Sequence, residues 1–487
     1  MQNSEQMEML APNRWTGFEA LADAVLTPEN MFHAHARGGR NCFLTGAGGT
    51  GKSTQLRQFI AEMEGVSPQF LSPTTPQKHA GLTPRGRRVS VTAPTGVAAL
   101  NVGGMTIHRF CGMLLGPGAG QTNEDYFAQL QRDPRPAIKA GFNRVRRCEV
   151  LVIDEISMLP GRQLDFVEFL FRRLRGRDEP FGGCQVIATG DFLQLPPVRT
   201  LAGGPLRPHP NPLPRGEGEN YLPYDWAFQS RAWKEAGFRT FVLETVRRQD
   251  EPGFVRALAD FRVGRVWGDS ARILQSRVRS NPPSSMPRLF THNVQVDKWN
   301  GFQLSELPGD ESVLHADQSG PEQQREFLNR NLLTPATLHL KPGALVSFTV
   351  NRAAPGAHHV ARGGDQPLYV NGQLGTVESV EPDAVLVKIN TGEVIRVERF
   401  TWRYDSQDET SASFSQFPLR LAWAMTIHKA QGLTLDSAYL DIRAAREPGQ
   451  AYVAVSRVRT LSGLFFKEWF KGVHVSPEAI EFYKEAK

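Results

Sequence analysis

The sequence predicts an α/β fold of two lobes, with a small β-barrel inserted in the second. Three observations carry this. Between residues 40 and 200, short apolar runs that read as buried strands alternate with segments of helical period. The first of these runs ends in "GAGGTGKS", Gly46–Ser53, which has the form of a phosphate-binding loop. Between 336 and 404 the pattern changes to short alternating strands broken by Gly and Asn turns.

The chain has 487 residues, more than one ordinary hydrophobic core organises, so at least two domains are expected. Apolar content of 40% and charged content of 22% are those of a globular protein. No apolar run approaches the roughly 18 residues of a membrane span, and the start, "MQNSEQMEML", lacks a signal-peptide pattern. Cys42, Cys111, Cys148 and Cys184 are far apart and form no CxxC pair. That argues against zinc and disulfides and suits a reducing cytoplasm. The net charge of +6 is carried mostly by arginine. Arginine binds phosphate bidentately, so a polyanionic partner is one reading; solvated surface arginine from a GC-rich genome is the other.

In chain order, residues 1–30 form an N-terminal extension with an amphipathic helix around "FEALADAVL". Residues 31–203 form the first lobe. There "NCFLTG" is a strand, "STQLRQFIAEM" a helix and 65–88 a Pro-rich basic loop. "VSVTAPTGVAALN", "CEVLVIDEISML" and "GCQVIATGDFLQLPPV" supply the next strands, with a small insert at about 111–143. Residues 204–220, "GPLRPHPNPLPRGEGEN", have five prolines and no apolar period, so they form a low-complexity insertion outside any core. The second lobe runs over 221–335 and 405–487, interrupted by the barrel at 336–404.

The phosphate loop has a specific chemistry. The glycines Gly46, Gly48, Gly49 and Gly51 let backbone N–H groups of the loop, through Thr50 and on to Thr54, wrap the phosphates of ATP. Lys52 meets the β- and γ-oxygens, and Ser53 ligates Mg²⁺. In "VLVIDE", Asp154 at a strand end can hold the same Mg²⁺ and Glu155 can polarise the attacking water. In "TGDFLQLPPV", Gln194 can sense the γ-phosphate, and Asp191 can orient that turn. The transition state needs more positive charge than one lysine gives, and Arg248 in "VRRQD" and Arg457 in "YVAVSRVR" are candidate fingers.

Taken in order, "GAGGTGKS", "TAPTGVAALNVGGMTIHRF", "LVIDEISM", "ATGDFLQLPPV", "AWAMTIHKAQGLTLD" and "AYVAVSRVR" resemble the motifs of the PIF (petite integration frequency) helicases of superfamily one, type B. The stretch "LDFVEFLFRRLRGRDEPFGGCQVIATGDFLQLPPV" is similar to that family's own signature, and "LYVNGQLGTV" to its barrel domain. The resemblance covers roughly residues 40–200 and 221–470. It implies two RecA-like lobes with ATP between them and an SH3-like barrel in the second. It also implies an ATP- and Mg²⁺-dependent 5′→3′ DNA helicase that works in repair, recombination or replication. Expected partners are single-stranded DNA and duplex or G-quadruplex DNA, with RNA–DNA hybrids a further family substrate and a monomer the working form. Lys52, Ser53, Asp154, Glu155, Gln194, Arg248 and Arg457 fall on family motif positions. Three departures stand out, the first being that the insertion at 204–220 is foreign to the pattern. Arg247 replaces an aromatic residue, and the glutamine that reads adenine is not at its usual distance, leaving Gln6 as the candidate.

A motor needs polar grips on both lobes. On the first, Thr95 in "APTG" suits a phosphate contact, and His108 and Phe110 in "TIHRF" offer a donor and a stacking face. The bland alternatives are a helix cap for Thr95 and a core position for Phe110. On the second lobe, Thr426, His428 and Lys429 of "AMTIHKAQG" can bind backbone phosphates. Gln431 and Gly432 then face the nucleotide and link grip to hydrolysis. Asn371 and Gly372 read as a hairpin corner of the barrel. Rival readings are a RecD-like or relaxase-type helicase, an ATP-gated DNA-binding protein and a small-molecule kinase.

Overall fold

The structure is a computed structural model that describes residues 27–64, 88–113, 116–117, 120–197, 224–279, 282, 286–350, 352–353, 367–369, 371–389, 391–405, 411–469 and 472–486. Gln6, the expected helix around "FEALADAVL", the loop at 65–87 and the 204–220 insertion lie outside the described residues.

Six parallel strands form the first sheet. They are β1 (Cys42–Gly46), β2 (Val89–Ala93), β3 (Met105–Thr106), β4 (Val150–Ile153), β5 (Gln185–Gly190) and β6 (Arg239–Leu243), in the order β3-β2-β4-β5-β1-β6. β1, β4 and β5 are buried along their whole length because helices cover both faces, which is why their sequences read as continuous rather than alternating apolar runs. The register places Phe43 beside Ala188 and Val152 beside Ile187. The order β4-β5-β1 therefore gathers three loops, the phosphate loop and the exits of β4 and β5, at one carboxyl edge of the sheet. The helix Lys52–Glu64 that follows the phosphate loop has no acid in its first turn, which leaves its positive end free for an anion.

Three boundaries differ from the sequence reading. Residues 224–243 belong to the first lobe: β6 pairs with β1, and Trp226, Ala232 and Trp233 sit in the first-lobe core. The last helix, Pro477–Glu485, also returns to the first lobe, with Ala479 in that core and Phe482 against it. Neither placement is local in sequence, since each depends on which apolar face lies across from it. The insert at 111–143 contains two helices, Asn123–Arg132 and Pro136–Arg147, whose buried faces (Tyr126, Phe127, Ile138, Phe142) extend the same core.

The second lobe has a four-stranded parallel sheet in the order Ala424–Thr426, Arg288–Phe290, Ala438–Leu440, Leu464–Phe466. Between its first two strands in sequence lies a β-rich unit. Its main sheet is antiparallel, in the order Val394–Glu398, Ala384–Ile389, Leu374–Val380, Leu345–Phe348, Leu419–Leu421. A second sheet joins Phe400–Asp405, Ser411–Gln416 and Asp317–Ser319. The unit thus recruits strands on both sides of 336–404. Ser312–His315 and Asp317–Ser319 carry no fully buried residue, so the sequence offers almost no apolar signal for them. No helix among the described residues is long and apolar enough to cross a membrane.

Candidate active site

The phosphate loop takes its shape from residues that cannot carry a side chain. Gly46, Gly49 and Gly51 have φ of 151°, 88° and 92°. A Cβ on Gly46 would lie 2.5 Å from the Leu243 carbonyl oxygen, and one on Gly49 would lie 2.6 Å from Arg248 Cβ. Thr50 is buried and donates its hydroxyl to the Ala47 carbonyl (2.9 Å), so with Gly46 it braces the loop from behind. Lys52 curls back and donates to the carbonyls of Gly46 (2.8 Å) and Ala47 (3.1 Å). Burial lowers the Lys52 pKa, and the carboxylates of Asp191 and Glu155 oppose that.

The exits of β4 and β5 bring three acids to this loop. Asp154 is buried, accepts the Thr189 hydroxyl and the Glu155 amide (3.0 Å), and has its pKa raised by burial. Glu155 is held in the left-handed region, φ 51° and ψ 43°, a strained conformation for a residue with a side chain. Burial first, and then the Asp154 carboxylate, push its pKa up to about 7. Asp191 is fully buried. Burial raises its pKa, but the Arg262 guanidinium, bonded at 2.6 and 3.1 Å, outweighs that and holds it low. Gln194 donates to the same carboxylate (3.1 Å). Ser53 and Asp154 both line the cleft and fit a Mg²⁺ ion, which takes few protein oxygens and completes its shell from phosphates and water. The bond from Thr189 fixes the orientation of Asp154 for that purpose.

The second lobe closes the cleft with arginines. Arg457 is buried, donates to the Val453 carbonyl and the Ser456 hydroxyl (both 2.8 Å), and stands 3.0 Å from where a Cβ on Gly48 would be. Arg248 donates to the Ser456 carbonyl (2.9 Å), and burial and the Arg457 charge lower its pKa to about 9. Arg247 reaches outward to Glu29 at 3.3 Å. Its amide donates to the Gly49 carbonyl (2.9 Å), so the two adjacent arginines straddle the loop.

One cleft of about 840 Å³ joins this centre to the motif "TIHKAQG". Its walls include Lys52, Glu155, Arg457, Thr95, Lys429 and Gln431, and also take in His428 and Gly432. Gln431 donates to Glu155 Oε2 at 3.2 Å. His428 and Lys429 are exposed at their tips yet ringed by protein, and this partial burial lowers both pKa values. Thr95 lines the cleft, and its hydroxyl accepts the Ala98 amide (3.2 Å), so it is a helix cap that also faces the site. Asn371 lines it too, and the corner formed with Gly372 (φ 89°) packs on Leu433.

The other expected grip residues are placed differently. Phe110 is 1% exposed and stacks on Phe171, with ring centres 6.3 Å apart: it is a core residue and offers no face to a base. His108 does not line the cleft. Burial, opposed by a bond with Gln163, pushes its pKa down to about 4, so the ring is neutral near pH 7. Thr426 is buried, and its hydroxyl accepts the Lys429 amide (3.2 Å). It sets the short helix that presents Lys429 instead of meeting a ligand itself.

Four contributors were not among the residues expected from the sequence. Tyr452 accepts the amide of Gly48 (2.9 Å) and so touches the phosphate loop from the second lobe. Gln249 donates to the carbonyls of Ser456 (3.2 Å) and Val458 (2.8 Å). Arg262 pairs with Asp191. Tyr483, in the last helix, bonds Thr45 (2.6 Å) and the Phe192 amide (3.1 Å) directly behind the loop. Tyr452 lies inside the quoted motif "AYVAVSRVR" and Gln249 inside "VRRQD", and both could have been singled out there; Arg262 and Tyr483 are visible only in three dimensions.

Comparison with known proteins assigns the chain to a family. A family model described as PIF1-like helicase matches residues 77–206. The ATP-dependent DNA helicase Pif1 of Bdellovibrio bacteriovorus is 33% identical over 92% of this chain and 89% of its own length. The PIF1 helicase of Xenopus laevis is 34% identical, and 62% of its length is covered. Among solved structures, Bacteroides Pif1 in complex with ADP-AlF4 has a TM-score of 0.71 at 28% identity, covering 95% of this chain and 97% of that one. Bacteroides Pif1 bound to single-stranded DNA has a TM-score of 0.58 at 28% identity, with the same coverage. The chain belongs to the PIF1-like family of ATP-dependent DNA helicases.

Proposed function

We propose that this helicase moves 5′→3′ along single-stranded DNA and displaces a complementary strand or unfolds G-quadruplex DNA, as a cytoplasmic monomer. One observation supports this most. The motif that exposes Lys429 to the cleft also reaches Glu155 through Gln431, so a phosphate grip and the hydrolytic centre share one short element. The relatives solved with ADP-AlF4 and with single-stranded DNA are consistent with both ligands binding here.

In this reading the amides of Gly48–Ser53 and the Lys52 ammonium hold the β- and γ-phosphates. Ser53 and Asp154 would hold Mg²⁺, which when bound would neutralise phosphate charge. Glu155 orients the attacking water and accepts its proton, for which a raised carboxylate pKa is suited. Arg248 and Arg457 neutralise charge on the transferring phosphoryl group. Gln194, fixed on Asp191, reports the γ-phosphate to Arg262 of the second lobe. Loss of that phosphate loosens the arginine contacts, the lobes part, and Lys429 and His428 release the strand. The β-rich unit acts as an SH3-like barrel whose Asn371 corner faces the same cleft.

Lys52→Ala tests the assignment of the hydrolytic site. ATPase activity should fall below detection while binding of a DNA oligonucleotide stays within a few-fold of wild type. A variant that still hydrolyses ATP and unwinds contradicts it.

A further inference from the structure

We infer that Arg420 and Lys429 together form a phosphate-binding pair for single-stranded DNA, at the seam between the β-rich unit and the second lobe. The inference rests on the DNA track proposed above and adds a residue that no motif marks. Arg420 lies on Leu419–Leu421, paired with Ser347, and is only 8% exposed. Its Nη2 reaches Met425 Sδ at 3.5 Å, a weak acceptor, and its Nε is buried with no partner. It has no ion pair with any carboxylate among the described residues, and burial alone lowers its pKa, to about 10, so it stays charged at neutral pH.

A buried, uncompensated guanidinium is costly, and its cost falls only when an anion arrives. Met425, which Arg420 touches, lies on the strand that leads directly into the short helix carrying a second cation, Lys429. Lys429 feels the Arg420 charge, is exposed on the cleft wall, and is bonded to no carboxylate among the described residues; the exposed Asp297 acts on it only through space. Two cations on neighbouring elements without a bound acid, one of them a guanidinium fork, match a phosphate. The phosphate can come from a DNA backbone or from a nucleotide. The nucleotide centre already has Lys52, Arg248 and Arg457, and Arg420 lies on a strand of the β-rich unit and does not line the cleft beside them. The geometry therefore favours the backbone.

The test is binding of oligo-dT to the full chain across a salt series, for wild type, Arg420→Met and Arg420→Lys. Arg420→Met should weaken binding by about tenfold or more. It should also lower the slope of log K against log salt by about 0.7, the contribution of one phosphate contact. Its thermal midpoint should not fall, because an apolar side chain of similar length replaces an unpaired charge. Arg420→Lys should keep most of the slope, and KM for ATP should not change. Unchanged oligo-dT affinity and slope in Arg420→Met overturn the inference. So does a raised KM for ATP with normal oligo-dT binding, which assigns the phosphate to the nucleotide, or a lowered midpoint in both variants, which makes Arg420 structural. Wild-type protein without salt-dependent oligo-dT binding would sink the proposed track itself.

Discussion

At the residue scale, Gly48 shows how tightly the two lobes meet. A methyl group there would stand 3.0 Å from Arg457 Nη2 and 3.2 Å from the Ser456 hydroxyl. Arg457 is buried and bonded on two sides, so it has little freedom to move aside. Gly48→Ala should therefore displace the finger without removing the phosphate cradle. We expect kcat for ATP to fall about a thousandfold or more, of the order seen when an arginine finger is lost. Binding of a fluorescent ADP analogue should stay near wild type; equal loss of both would assign Gly48 to the cradle alone. That Lys52, Asp154 and Glu155 would meet in one cleft was legible in the sequence, because each sits in a local motif of a few consecutive residues at a strand exit. Arg262 and Tyr483 were not. Their partners lie 71 and 438 residues away, and each looks like an ordinary polar position until the chain is folded.

At the element scale, the two lobes use the same device. Met105–Thr106 leads into Ile107–Cys111, and Ala424–Thr426 leads into Ile427–Ala430. In each, the threonine hydroxyl accepts the amide three residues on, at 3.3 and 3.2 Å. The sequence shows the repeat as "TIHRF" and "TIHKA". Both copies turn their fifth residue, Phe110 and Ala430, inward; the sequence does not show that Lys429 lines the cleft while its counterpart Arg109 does not, because that depends on what packs around each helix. Lys429→Ala should cut DNA-stimulated ATPase at least several-fold more than basal ATPase. Parallel loss of the two rates would remove Lys429 from the grip. The last helix is the element least legible in the sequence. Phe482 packs with ring centres 4.8 Å from Phe228 and 5.2 Å from Phe192, and its neighbour Tyr483 braces β1 through Thr45. Phe482→Ala should destabilise the first lobe by about 3 kcal/mol, seen as an earlier urea transition in the fluorescence of Trp226 and Trp233. An unchanged transition would mean that this helix adds little to the lobe.

At the scale of the whole molecule, the order of the first sheet gathers the phosphate loop and the β4 and β5 exits at one edge, and the second lobe lays its arginines across them. The two-lobed α/β plan was legible because strand and helix periods are local. Lobe membership was not: β6 joins the first lobe by pairing with β1 about 200 residues upstream, and the last helix returns to that lobe after the chain has crossed the second. The same crossing makes one cleft out of a hydrolytic centre and a phosphate grip, joined at Gln431 and Glu155. A cleft of this kind converts hydrolysis into directed movement. The most direct test is strand displacement on duplexes carrying a single-stranded tail at one end. We predict ATP-dependent displacement from the 5′-tailed duplex and little from the 3′-tailed one. Displacement only from the 3′-tailed duplex, or from neither while ATP is hydrolysed, would contradict the account.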